Sequence, residues 1–168
     1  MTDRSLKDKR VVVVGGSAGI GGAFAVRAIA EGAHMVVVAR RELPPEVLAG
    51  AAAATSISAD IRIPADCIRI GETAAGALGE VDLLVISAGY APLKPLSDVD
   101  ADDWLKVLET NVIGVHQVIQ AHLPVLAPSA IVAVLSSDSV RHPHRALGAY
   151  SASKAAMERS LVSWRLEH

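Results

Sequence analysis

Five short runs of branched apolar residues recur along the chain, separated by longer stretches rich in alanine. The runs cover Arg10–Val14, Met35–Ala39, Thr55–Ala59, Leu83–Ser87 and Ile131–Ser136. Each is almost continuously apolar, which is the pattern of strands buried on both faces of a parallel sheet. The intervening stretches predict helices over Gly19–Glu31, Glu46–Ala53, Asp66–Leu78 and Asp102–Leu123. The last of these follows "DVDADDW", where Asp100 can cap the helix and Asp102 and Asp103 complement its dipole. Alternation of this kind predicts an α/β fold built on a doubly wound parallel sheet. A length of 168 residues leaves room for a single domain over 1–168 with a real core. Its apolar half is mostly Ala and Val, with one Phe, two Trp and two Tyr, so small side chains must pack closely.

Charge and polarity exclude several classes of function. A net charge of −2 gives no electrostatic footprint for nucleic acid or an anionic membrane. The polar opening "MTDRSLKDKR" does not resemble a secretory leader. The single cysteine, Cys67, allows no internal disulfide, which fits a reducing cytoplasm. Thr110–Ser137 lacks Asp, Glu, Lys and Arg and exceeds the ~20 residues of a membrane span. It carries Asn111, His116, Gln117, Gln120, His122, Pro124 and Pro128, so a buried helix followed by a strand describes it better.

The first strand runs into "VVVVGGSAGIGGAFA", where Gly15, Gly19 and Gly21 have the spacing G-x-x-x-G-x-G. Glycines at a strand-to-helix junction let the backbone turn sharply and approach a pyrophosphate, whose charge meets the helix N-terminus. The same residues, Gly15 to Gly19, also match G-x-S-x-G, the nucleophile elbow of serine hydrolases. Such an elbow normally follows several strands, whereas only a short polar segment precedes this one. After the second strand the chain reads Ala39-Arg40-Arg41-Glu42. An arginine here accommodates a ribose 2′-phosphate and an acid holds a 2′-hydroxyl, so NADP(H) is favoured, with Arg40 ahead of Arg41 as the contact. Two solvated surface arginines are the plainer reading, and Glu42 leaves NAD(H) open.

Taken in order, these features resemble the short-chain dehydrogenase/reductase family, and the resemblance runs from Lys9 to Glu167. That family's Thr-Gly-x-x-x-Gly-Ile-Gly motif is matched by Val14 to Gly21, which implies cofactor contacts from Gly15, Ser17, Gly19, Ile20 and Gly21. Its acidic residue on the adenine side, after the third strand, is matched by Asp60, followed by Ile61. Its Asn-Asn-Ala-Gly after the fourth strand corresponds to Ile86-Ser87-Ala88-Gly89, and the asparagine of the following helix to Asn111. The active-site serine corresponds to Ser137, thirteen residues before Tyr150, and Tyr-x-x-x-Lys is Tyr150 to Lys154. Val14 stands where the family has threonine, and Ile86 and Ser87 where it has two asparagines. Those changes remove groups that support the cofactor loops, and they bear on cofactor affinity more than on the chemical step.

The resemblance implies a Rossmann-type fold, with the five strands in the order 3-2-1-4-5, and hydride transfer between NADP(H), with NAD(H) as the other option, and an alcohol or carbonyl substrate. The protein must then position the carbonyl and supply or remove one proton. Tyr150 is the implied acid/base. Lys154, on the same helix face, supplies a neighbouring cation and binds the nicotinamide ribose. Ser137 is implied to bond the substrate oxygen, and Asn111 to hold a water that links Lys154 to a proton relay. Each has a plainer account alone: a surface Tyr–Lys pair, a serine closing a strand, an amide satisfying buried backbone. Asn111 is, however, the chain's only asparagine. His142 and His144 fall between Ser137 and Tyr150 without a cysteine or carboxylate cluster, so a solvated loop is expected there and no metal. Ala155–His168 suffices for one helix, whereas the resembled family continues into further strands and a substrate lid. The expectation is a domain lacking its C-terminal part, with an exposed apolar edge on the fifth strand unless a partner covers it. Dimer or tetramer contacts would fall on Asp102–Leu123 and Ser151–Arg165. The alternative is a non-catalytic dinucleotide-binding module that keeps these residues.

Overall fold

Strand β1 (Arg10–Val14) is apolar from Val11 to Val14 because those side chains alternate between two cores. Val12 and Val14 join Val36, Leu84, Ile86, Ile70, Val118 and Met157 on one face of the sheet. Val11 and Val13 join Met35, Val37, Ala25 and Ala28 on the other. The computed structural model describes residues 5–41, 43 and 54–168. The helix expected over Glu46–Ala53, and Glu42, lie outside the described residues.

The remaining elements are α1 (Gly19–Ala30), β2 (His34–Ala39), β3 (Ala54–Ser58), α2 (Pro64–Leu78), β4 (Val81–Ile86), α3 (Ala101–Leu108), α4 (Gly114–His122), β5 (Leu126–Val134) and α5 (Gly148–Glu167). The five strands form one parallel sheet in the order β3-β2-β1-β4-β5, as the family resemblance implies. At the N-terminal edge of the sheet, Arg10 clamps β1 to β4 through Asp82 at 2.8 Å and Glu80 at 3.0 Å. The guanidinium holds the Asp82 carboxyl down at about 2.

Three expectations are corrected. Burial on both faces describes β1 and β2 but not the edge strands: β3 is largely exposed, and Ile131 of β5 is 63% exposed. Strand β5 starts at Leu126, ahead of the expected Ile131, because Pro128 is tolerated on an edge where no ladder donor is required. The long helix expected over Asp102–Leu123 is two helices, α3 and α4, joined by a π-helical turn at Glu109–Ile113. That turn coincides with two close contacts. The Asn111 side chain bonds the backbone of Tyr90, and Gly114 meets Ile61 so closely that a Cβ would lie 2.8 Å from its carbonyl oxygen. Asp100 caps α3 as expected, accepting from the Asp103 amide at 2.8 Å. Thr110–Ser137 resolves into the π turn, α4, a short 3-10 turn and β5, and no helix among the described residues is long and apolar enough to cross a membrane.

Helices α2 and α4 cross at Gly71, where an added Cβ would lie 2.5 Å from the Ala121 carbonyl oxygen, whereas Gly76 in the same helix faces open space. Alanine is the better helix former at both positions, by about 1 kcal/mol. Gly76→Ala is therefore expected to stabilise by up to that amount. Gly71→Ala should destabilise by roughly 1–3 kcal/mol, because the clash outweighs propensity. Urea unfolding of the two variants checks the opposite signs.

Candidate active site

A cleft of about 490 Å³ opens at the C-terminal ends of β1, β2 and β4, where the strand order reverses direction and such folds receive ligands. Its floor is a backbone junction. The Val14 carbonyl accepts from the amides of Ser87 at 2.8 Å and Ala88 at 3.0 Å, while the Gly15 and Gly16 amides reach Val38. Gly15 holds a φ of +92°, and a Cβ there would lie 2.5 Å from the Ala88 nitrogen, so no other residue fits. Helix α1 then begins at Gly19 with no side-chain cap and no acidic residue in its first turn. Its positive end is thus left to the cleft, and the space beside Gly19 is open. These residues fit a dinucleotide pyrophosphate.

Gly15, Ser17, Gly19, Ile20, Arg40, Asp60, Ile61, Ala88, Gly89, Tyr150 and Lys154 all line this cleft. Gly21 does not: it packs beneath, where a Cβ would lie 2.4 Å from the Gly15 carbonyl oxygen and 2.9 Å from the Ser87 Cβ. Asn111 and Ser137 also lie outside the lining. Arg40 is exposed at the rim, with no ion pair among the described residues. The Asp60 carboxylate is gripped by Arg62 at 2.6 Å, which holds it below the usual carboxylate range. No histidine lines the cleft beside Ser17, so the hydrolase-elbow reading finds no base there.

Lys154 is only 3% exposed. Its Nζ donates to the Leu135 carbonyl at 2.7 Å and stands 5.8 Å from the centre of the Tyr150 ring. Burial pushes its amine below the ordinary lysine value. Asn111 is fully buried. Its Oδ1 accepts from the Tyr90 amide at 2.8 Å, and its Nδ2 donates to the Tyr90 carbonyl at 2.8 Å and to Ser153 Oγ at 2.9 Å. Both amide hydrogens are therefore used, and the side chain has no free N–H for a relay water. The Ser137 hydroxyl pairs with Ser139 Oγ at 2.8 Å. Ser136 lines the cleft, but its hydroxyl bonds Glu158.

Tyr90 and Ser153 are contacts that the residue pattern left unmarked. Tyr90 lines the cleft directly after Gly89, and Ser153 stands three residues beyond Tyr150 on the buried face of α5. The second position was accessible from helical spacing, since i and i+3 share a face. Away from the cleft, His142 and His144 flank Asp138 at 2.8 and 3.8 Å. Burial drives the Cys67 thiol up to about 11, so it is unreactive near neutral pH.

Residues 9–168 match the sequence profile of the short chain dehydrogenase family. The chain belongs to that family. It is 30% identical over 169 residues to the short-chain dehydrogenase/reductase FrzI of Cladobotryum sp, an alignment covering 97% of this chain and 66% of FrzI. The crystal structure of a putative short-chain alcohol dehydrogenase from Sinorhizobium meliloti 1021 superposes with a TM-score of 0.86 at 28% identity, over 96% of this chain and 67% of that one. A putative short chain dehydrogenase from Escherichia coli CFT073 complexed with NADPH gives 0.88 at 25% identity, over 97% of this chain and 72% of that one. This short-chain dehydrogenase chain thus spans about two thirds of the length of FrzI and of the Sinorhizobium meliloti protein.

The departures at Val14, Ile86 and Ser87 can be judged in place. The first-strand turn and the fourth-strand loop are tied by the Val14 carbonyl, so a side-chain hydroxyl at this position is dispensable for that tie. Val14 and Ile86 instead fill the core, and Ser87 presses on the start of α1.

The buried Lys154 also makes the site costly. A lysine whose amine is lowered by folding binds fewer protons folded than unfolded as the pH approaches 10.5, so its charge opposes folding fully below the lowered value and ceases to do so above 10.5. Lys154→Met is expected to raise stability at pH 7 by on the order of 1 kcal/mol, with the gain shrinking as pH rises toward the ordinary lysine range. Urea midpoints of both proteins between pH 7 and 10 test this, and a lower midpoint for the variant at pH 7 contradicts it.

Proposed function

We propose that residues 1–168 form one dinucleotide-binding domain of an oxidoreductase that moves a hydride between NADP(H) and a small alcohol or carbonyl. The observation that carries this reading is the single cleft holding the uncapped start of α1, Arg40 at one rim, and Tyr150 beside buried Lys154. Membership of the family and the likeness to an NADPH complex support it. In this reading Gly15, Ser17, Gly19 and Ile20 hold the pyrophosphate, Asp60 and Ile61 flank the adenine, and Arg40 meets the 2′-phosphate. Ala88 and Gly89 back the nicotinamide half.

The bound cofactor supplies or accepts the hydride. The Tyr150 hydroxyl gives its proton to the substrate oxygen during reduction and retrieves it during oxidation. The Lys154 ammonium, fixed by the Leu135 carbonyl, stabilises the phenolate left behind. Ser137 steadies the substrate oxygen. Asn111 keeps the Tyr90 backbone beside the two, and the relay water implied for it would be met through oxygen acceptors. A homo-oligomer is proposed through the exposed sides of α4 and α5, where His116 and Trp164 meet at 5.2 Å. A second reading, a binding module without turnover, draws support from the Ser136 and Ser137 hydroxyls, which both bond other partners.

NADPH is expected to bind roughly tenfold or more tightly than NADH, and Arg40→Ala to narrow that gap, since a charge-assisted contact is worth ~1.5–3 kcal/mol. Equal affinities in a titration of both cofactors remove the Arg40 assignment. Tyr150→Phe should cost carbonyl reduction about a hundredfold or more while leaving cofactor affinity nearly unchanged. Turnover that survives this substitution refutes the mechanism. Tight NADPH binding with no turnover across a carbonyl panel selects the module.

A further inference from the structure

Between the proposed acid/base and the loop that walls the cleft runs one unbroken set of hydrogen bonds, buried at its centre. Ser153 Oγ donates to the Tyr150 carbonyl at 2.6 Å and accepts from Asn111 Nδ2 at 2.9 Å. Asn111 in turn grips both backbone groups of Tyr90, whose residue lines the cleft beside Gly89. Ser153 and Asn111 are both 0% exposed, so bulk solvent does not compete for this hydrogen bond. Asn111 stands inside the π turn, so its side chain reaches Tyr90 from an irregular helix that needs fixing to its neighbours. Through Asn111, the Ser153 hydroxyl hydrogen-bonds this turn to α5, the helix carrying Tyr150 and Lys154.

We propose that Ser153 is a positioning residue for the reaction: it locks the Asn111–Tyr90 clamp in register with Tyr150. This rests on the reading of Tyr150 as the acid/base. Removing the hydroxyl strands a buried Asn111 N–H, and the clamp then shifts to recover a partner. Proton donor and cleft wall consequently lose their mutual placement, and a displacement near 1 Å is enough to slow such a step by about a hundredfold. Neither Tyr150 nor Lys154 is altered, and Ser153 is not among the residues that line the cleft.

The test is a double-mutant cycle on the full chain with Ser153→Ala, Asn111→Ala and the pair, read by kcat, by NADPH affinity and by hydrogen exchange at the Tyr90 amide. Ser153→Ala is expected to lower kcat roughly tenfold to a hundredfold at unchanged NADPH affinity. It should also speed exchange at Tyr90 about tenfold or more, because that amide loses a fixed acceptor. In the pair, kcat should equal that of Asn111→Ala alone, since the two residues act as one unit. Additive losses, or wild-type exchange at Tyr90 in Ser153→Ala, overturn the proposal. Should Ser153→Ala fail to fold, Ser153→Cys fills the site with a slightly larger side chain that is only a weak donor and is held to the same outcomes. If the wild-type chain turns nothing over, the proposed function fails by itself, while exchange at Tyr90 still decides whether Ser153 holds the clamp.

Discussion

Two backbone amides, those of Ser87 and Ala88, converge on the carbonyl of Val14 where β1 gives way to its glycine turn. The contact brings the β1 turn within van der Waals reach of the β4 loop, which is why Gly15 has no room for a side chain. It sets the depth of the cleft and the direction in which α1 leaves the sheet. Because α1 starts uncapped at Gly19, the same junction aims an unscreened helix terminus into the cleft. Backbone groups carry the tie, so the departures of Val14 and Ser87 from the family motif leave it intact.

The other end of the cleft depends on burial. Lys154 is taken out of water and given one carbonyl partner, an arrangement that a stability-driven core would avoid. Asn111 and Ser153 are buried as well, but each has its hydrogen-bonding groups matched, so they add rigidity where Lys154 adds cost. The site is therefore a charged, destabilising group held inside a satisfied polar frame. The π turn belongs to that frame, since it lets one asparagine reach across from α3 and α4 to Tyr90.

Much of the molecule was legible in the residue pattern, and the reason is periodicity. Strands β1, β2 and β4 announce themselves because alternating faces are both apolar, and the βαβ alternation makes the sheet parallel, whereas the order of its strands was legible only through the family resemblance. The glycine turn was legible because only glycine tolerates its φ and its contacts. The edges were less so: β3 carries Thr55, Ser56 and Ser58, and β5 begins with Leu126-Ala127-Pro128, because edge strands escape the demands that make central strands recognisable. A helix broken by a π turn reads in sequence like a continuous one, since neither Pro nor Gly marks Glu109–Ile113.

What the sequence alone determined is the set of chemical groups and the elements that carry them: the glycines at the first junction, Arg40 and Asp60 at later strand ends, and Tyr150 and Lys154 on one helix face. Local rules suffice there, because turn geometry and helical spacing act over a few residues. Only the tertiary structure decided which groups meet. It turned Asp60 toward Arg62, the Ser137 hydroxyl toward Ser139, and Asn111 toward Tyr90 and Ser153. Those choices are made by the competition among buried polar atoms for the nearest partner, and residues 42 positions apart in the chain, such as Asn111 and Ser153, enter that competition only after the sheet has brought their helices together.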